Sequence, residues 1–191
     1  MDMLKIGLLK NLTLLLVEDD EELKESIKET LALFFKNVFV AQNGLEALDI
    51  YSQNSIDLII TDYVMPIMNG YELCKNIREK NRKIPLVIMS NYSDKEKLLK
   101  SISLELTDYV IKPIEYKQLL ETLVKMVEKL ERENLLSFTI NNDKKYDFFK
   151  KEIYDEKENT YIKLTKSEII ILELLINNST FAHKKSLISY M

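Results

Sequence analysis

The sequence predicts an α/β protein: a doubly wound parallel sheet of five βα units, (βα)5, followed by a smaller, incomplete α+β segment. Three observations carry this reading. Short apolar runs alternate with amphipathic stretches over roughly the first 130 residues. Polar residues able to do chemistry fall directly after those runs, where a parallel sheet keeps its active crevice. Beyond residue 133 the alternation gives way to short runs rich in aromatic and β-branched residues.

The elements follow in order. Leu12–Val17 is a continuous apolar run, as expected for a strand buried on both faces. Asp20–Phe35 carries Leu23, Ile27, Leu31 and Phe34 at spacings of four, four and three, an amphipathic helix. Val38–Ala41 is a second strand, and Gly44–Ser52 a helix expected to turn Leu45, Leu48 and Tyr51 inward. Ile56–Thr61 and Tyr71–Lys80 are the third strand and helix, and Leu86–Ser90 and Asp94–Ser103 the fourth. Tyr109–Ile111 is a short fifth strand. Tyr116–Glu133 is the last helix of this part, with Leu119, Leu120, Leu123, Val124, Val127 and Leu130.

Composition narrows the function classes. Net charge is −4 in 191 residues, which gives no global argument for a nucleic-acid or anionic-membrane partner. Hydrophobic content of 46% with 30% charged residues is a globular profile, and three Gly and three Pro leave no flexible linker. No apolar run approaches the ~18 residues of a membrane span, and Leu14–Val17 is too short for a signal segment, so a cytoplasmic protein with no membrane partner is expected. The single Cys74 excludes an internal disulfide and reads as core. The single His183 makes a histidine metal site improbable and reads as a surface or turn residue without a catalytic role.

At the strand carboxyl ends stand Glu18-Asp19-Asp20, Asp62, Ser90 and Lys112. Clustered carboxylates repel, one lysine cannot neutralise them all, and hard oxygen donors without His or Cys favour Mg²⁺. Taken singly, these residues have plainer readings. Asp62 could cap a turn, Asp20 and Glu21 read as first-turn acids of a helix, Ser90 could be a strand-end hydroxyl, and Tyr109 a half-buried strand tyrosine.

Taken together they carry the pattern of the response-regulator receiver domain, the CheY-like (flavodoxin-like) fold. "LLLVEDD" resembles that family's acidic pair, "DLIITDYVMPIMNG" its phosphoacceptor strand and loop, "VIMSNYSD" its hydroxyl segment, and "TDYVIKPI" its aromatic–Lys–Pro segment. Asp19 precedes Asp62 by 43 positions, and Ser90 precedes Tyr109 by 19 and Lys112 by 22, as the family has them. The 28 positions from Asp62 to Ser90 are two short, which points to a trimmed loop near Lys80–Ile84. The resemblance implies a phosphoprotein of a two-component phosphorelay, with Asp62 taking a phosphoryl group from a sensor histidine kinase. It implies Mg²⁺ held by Glu18, Asp19, Asp62 and the backbone carbonyl of Val64. Lys112 and Ser90 would contact the phosphoryl group, Ser90 and Tyr109 would form a conformational switch, and Lys112-Pro113 would be a cis peptide. It further implies a homodimer through the fourth helix, fifth strand and fifth helix. The protein would not be an enzyme beyond Mg²⁺-dependent self-phosphorylation and dephosphorylation. Glu105 stands where the family usually has Gly, and Asn91 where it has a small residue.

The chain therefore divides into a receiver domain, 1–133, and a second segment, 134–191. In the latter, Ser137–Asn141, Tyr146–Tyr154 and Thr160–Leu164 read as antiparallel strands. Thr165-Lys166-Ser167-Glu168 is a capping box opening a helix with Ile169, Leu172 and Ile176 inside. This resembles the front of an OmpR/PhoB-type winged-helix effector domain, ending inside the second helix. The recognition helix and wing are expected to be missing, and nine Lys/Arg against eight Asp/Glu from Asn134 onward give no strongly basic face. DNA binding is expected only if those elements exist. Two rival readings are a receiver-only signalling or interaction protein that binds no DNA, and a Mg²⁺-dependent aspartyl-phosphate hydrolase. The hydrolase would want an acid/base where Val64 stands.

Overall fold

Five aliphatic runs build the sheet that organises the first part of the chain. In the computed structural model, which describes residues 3–91, 95–141, 143–148 and 150–178, these runs are β1 (Thr13–Val17), β2 (Asn37–Ala41), β3 (Leu58–Asp62), β4 (Leu86–Ser90) and β5 (Asp108–Ile111). They pair in parallel in the order β2-β1-β3-β4-β5. β1, β3 and β4 are buried at every residue, because helices cover both faces of a sheet built by crossovers. Val17 lies opposite Thr61, Asp62 opposite Met89 and Ser90 opposite Ile111. That register brings the strand carboxyl ends to one edge, beside the point where the strand order reverses between β1 and β3.

The expected first to fifth helices are α2 (Glu21–Ala32), α3 (Gly44–Gln53), α4 (Gly70–Lys80), α5 (Lys95–Ile102) and α6 (Tyr116–Arg132). Asp94, the expected start of the fourth, lies outside the described residues. Caps fix their starts: Leu23 N–H donates to Asp20 Oδ1 at 2.9 Å, and Asn69 and Glu72 form a reciprocal capping box. Leu45 does not face inward, contrary to the sequence expectation, but is exposed. The Asn43 cap sets the phase of α3 so that Gly44 and Ala47 are buried and Leu48 packs against the core.

One element has no counterpart in the sequence reading. Met3–Leu8 forms a helix, α1, followed by a 3-10 turn at Leu9–Asn11. Six residues are too few to show a helical period, yet Ile6, Leu8 and Leu9 are buried. Lys5 pairs with Glu128 of α6 at 2.8 Å, and Lys10 Nζ donates to the Leu33 carbonyl at the end of α2.

Contacts divide the chain into two compact units, the first ending at Leu130 and the second beginning at Glu131. The second unit holds an antiparallel sheet, β6 (Ser137–Thr139), β7 (Lys144–Asp147), β8 (Glu152–Asp155) and β9 (Thr160–Lys163), in that order, and α7 (Lys166–Asn178). The expected single strand Tyr146–Tyr154 is instead parts of β7 and β8 joined by a tight turn. Lys150 N–H donates to Asp147 Oδ1, Lys151 N–H to the Asp147 carbonyl, and Lys151 takes a positive φ of 57°. The Thr165–Glu168 box forms, with Thr165 N–H donating to Glu168 Oε2 at 2.7 Å. Ile176 is buried on α7. The Tyr146 hydroxyl and Lys151 both reach Glu173, tying this helix to its sheet. The expected second helix and His183 lie outside the described residues.

Candidate functional site: an acidic pocket at the sheet edge

The strand register and the turns that follow it decide which polar groups meet. Glu18 is the first residue past β1, anchored by its N–H to the Ala41 carbonyl at 3.0 Å. Asp62 ends β3. Both are almost fully buried, at 2% and 4% exposure, whereas Asp19 is exposed. Carboxylate oxygens of Glu18, Asp19 and Asp62 lie within 4.8 Å of one another. Asp20 stands apart from this group as the cap of α2.

Lys112, just past β5, reaches across the pocket. Its Nζ lies 2.6 Å from Glu18 Oε2 and 3.0 Å from Asp62 Oδ1. The other oxygen of Asp62 accepts from the Val64 N–H at 3.2 Å. Burial pushes the Glu18 carboxyl above the usual carboxylate range, Lys112 pulls it back and the Asp62 charge pushes it up again. For Lys112 burial opposes the charge, but hydrogen bonds to Glu18 and Asp62 and their negative charges outweigh it and raise its pKa. Three carboxylates against one ammonium leave a formal excess of two negative charges.

The remaining expected residues sit on the neighbouring strands. Ser90, fully buried at the end of β4, accepts the Lys112 N–H on its carbonyl at 2.8 Å. Tyr109, opposite Ile88 on β5, packs against the core, and its buried hydroxyl has no hydrogen-bond partner among the described residues. The Lys112-Pro113 peptide is cis. Asn91 is exposed beside the pocket, and Glu105 adopts a positive φ of 50°.

Two features of the loop after Asp62 escaped the sequence reading. Gly70 N–H donates to the Tyr63 carbonyl, and a Cβ at Gly70 would lie 2.0 Å from the Asp62 carbonyl oxygen. The start of α4 therefore presses on the backbone of Asp62, a distance no sequence motif discloses. Ile67 has a φ of 68°, rare for a β-branched residue. Met68 N–H donates to the Pro66 carbonyl at 2.8 Å, closing a three-residue turn around it.

Residues 14–124 match the response regulator receiver domain. Among curated proteins, the chain is 34% identical over 180 residues to a probable transcriptional regulator, ycf27, of Cyanidium caldarium. That match covers 91% of this chain and 71% of the relative. It is 26% identical over 170 residues to the response regulator MprA of a Mycobacterium species, covering 86% of this chain and 72% of that protein. Among solved structures, the receiver domain of the Francisella response regulator 1452 superposes with a TM-score of 0.56 at 27% identity, over 62% of this chain and 98% of that one. The chemotaxis protein CheY4 of Vibrio cholerae gives 0.57 at 27% identity, over 60% and 98%. In the described residues no helix is long and apolar enough to cross a membrane.

Proposed function

The chain belongs to the response-regulator receiver family and is a two-component response regulator, and from that premise we propose that Asp62 is the residue that accepts the phosphoryl group. Membership implies a histidine kinase as the donor. An Asp62 carboxylate oxygen attacks phosphorus, the P–N bond of the phosphohistidine breaks with its electron pair going to the imidazole nitrogen, and a mixed anhydride forms on Asp62. Such transfers need little from the protein beyond alignment and charge neutralisation. Lys112, already 3.0 Å from Asp62, moves onto a phosphoryl oxygen as a point charge, and the Ser90 hydroxyl donates to another. Attack of water on phosphorus later restores the carboxylate.

The carrying observation is the convergence of three carboxylates with one ammonium shared between Glu18 and Asp62. The donor set fits Mg²⁺: hard oxygens and an unbalanced negative charge, with Glu18, Asp19, Asp62 and the Val64 carbonyl as its holders. When bound, the ion supplies the positive charge that the phosphoryl oxygens need. Incubation with Mg²⁺ and acetyl phosphate should give an acid-stable, base-labile adduct on the chain. The adduct should vanish in Asp62→Asn and form more slowly in Lys112→Met; an undiminished adduct in Asp62→Asn would sink the assignment.

Ser90 drawn toward the phosphoryl frees space for Tyr109, whose unpartnered hydroxyl has little to hold it where it is. The face that responds is α5, β5 and α6, where Leu99, Ile102 and Ile111 are exposed apolar residues. This face is the proposed dimer contact. Sedimentation should show a dimer on phosphorylation that Ile102→Asp prevents.

The output we infer is transcriptional control, from the names of the relatives and from a match that runs 180 residues, beyond the receiver. The chain spans about seven tenths of that relative's length, and the described residues include no recognition helix after α7. DNA binding is accordingly assigned to the effector as a whole, with β6–β9 and α7 as its front part. Footprinting of relatives' promoter regions with the phosphorylated chain tests this: sequence-specific protection supports transcriptional output, and no protection at any site overturns it.

A further inference from the structure

On the face of the sheet covered by α2 and α6, the two helices flank an open cleft of about 570 Å³. Well-packed interiors leave few voids larger than a water molecule, whereas this volume falls within the range of small-molecule sites. Its cause is legible in the helix. Ser26 and Thr30, one turn apart on α2, present small hydroxyl side chains toward α6 where a filled interface would carry large apolar ones. The cleft therefore reaches down to Ile60 and Met89 on the sheet, between Ile27 on one wall and Leu119 on the other. The N-terminal segment holds both helices near their carboxyl ends, through Lys10 to the Leu33 carbonyl of α2 and Lys5 to Glu128 of α6. The walls are thus braced from a third element.

The lining also defines the ligand. Lys112 is the one charged residue among its described lining residues, and that ammonium is already shared between Glu18 and Asp62. An anionic ligand would have to compete with two carboxylates for it, and a cationic one would find no acid to pair with among the described lining residues. What remains is a largely apolar lining, with the Ser26 hydroxyl and the Asn91 amide exposed and the Thr30 hydroxyl donating to the Ser26 carbonyl at 3.1 Å. We propose that this cleft is a binding site for a neutral, largely apolar small molecule, adjoining the acidic pocket at Lys112.

The test uses the full 191-residue chain and two fluorescent probes with one skeleton, neutral N-phenyl-1-naphthylamine and its anionic sulfonate, 8-anilinonaphthalene-1-sulfonate. The neutral probe should bind saturably at one site, and the sulfonate at least about tenfold more weakly. Thr30→Phe and Leu119→Trp fill the cleft from opposite walls. Each should weaken the neutral probe at least about tenfold while melting no lower than the parent, since both add apolar volume to open space. Leu174→Lys, on the exposed apolar side of α7, should leave binding unchanged. The proposal is overturned by a non-saturable signal, by equal or tighter binding of the sulfonate, by binding that both fillers leave intact, or by loss of signal in Leu174→Lys. None of these readouts depends on phosphorylation, so the site and the role of Asp62 stand or fall separately.

Discussion

At the scale of single residues, the functional edge depends on groups that do no chemistry. Gly70 is the sharpest case. Its backbone conformation suits any residue, since no glycine has a positive φ, so what it supplies is space. An alanine Cβ there would sit 2.0 Å from the Asp62 carbonyl oxygen. A backbone carbonyl in a buried strand cannot swing aside like a flexible side chain, so β3 or α4 must move. Overpacking of this kind costs about 1–3 kcal/mol, occasionally more. Gly70→Ala is expected to lose about 3 kcal/mol in urea unfolding and to slow adduct formation with acetyl phosphate. Asp57, at the opposite edge of the sheet, gives a pH test. Its Oδ2 accepts the Thr13 N–H at 2.8 Å. Burial pushes its carboxyl above the usual value, against the pull of that N–H and of Lys36. A carboxylate raised in the folded state contributes stability that is full below the unfolded pKa and lost as pH rises through the folded one. Asp57→Asn keeps an acceptor for Thr13 without the charge. It should be at least as stable as the parent at pH 7, with that relative advantage shrinking as pH is lowered through the carboxylate range. Unfolding curves at several pH values check the sign, and an advantage that grows toward acid would refute it.

Among the elements, the departures from the family pattern turn out to be held in place by one side chain. Glu105 takes a left-handed backbone where glycine would be at ease. The Lys80–Ile84 connection is short, and Asn81 Oδ1 accepts both the Lys83 and Ile84 N–H groups to turn the chain. Arg78 on α4 stabilises both places. Its guanidinium donates to the carbonyls of Leu104 at 2.7 Å, Ile84 at 2.8 Å, Asn81 at 3.2 Å and Glu105 at 3.2 Å. Arg78→Ala strands several of these acceptors and should cost about 2–4 kcal/mol, given roughly 1–3 kcal/mol for an unsatisfied buried group. Glu105→Gly should stabilise by about 1 kcal/mol through relief of the left-handed turn. A double-mutant cycle should reveal coupling between the two, because both act on one loop; strict additivity would mean that Arg78 supports Ile84 and Asn81 alone. The core elements were legible because a buried parallel strand must be apolar throughout, and the site because register forces polar groups to strand ends. What could not be read was set by distance rather than pattern. Examples are the six-residue α1, the phase of Leu45, the turn that splits Tyr146–Tyr154, and the approach of Gly70 to Asp62. Each depends on a cap, a local turn or a close approach that the apolar pattern does not encode.

For the whole molecule, the question is how a charge event at one edge is confined or spread. The acidic pocket belongs entirely to the unit ending at Leu130, and its three carboxylates are held near one another only when β1 and β3 are paired. An ion that binds this folded arrangement and not the unfolded chain stabilises it by mass action, about 2.7 kcal/mol at a hundredfold excess over its dissociation constant. The second unit has its own sheet and its own anchors, Tyr146 and Lys151 on Glu173. Millimolar Mg²⁺ should therefore slow amide exchange along β1, β3, β4 and β5 while leaving β7, β8 and α7 unchanged. Glu18→Gln with Asp62→Asn should abolish the slowing without altering the second unit. Acetyl phosphate added with Mg²⁺ should extend the effect to α5 and the β5 edge, where Tyr109 and the exposed Leu99 and Ile102 lie. Protection that rises equally in both units on Mg²⁺ alone would mean that the ion acts somewhere other than this pocket.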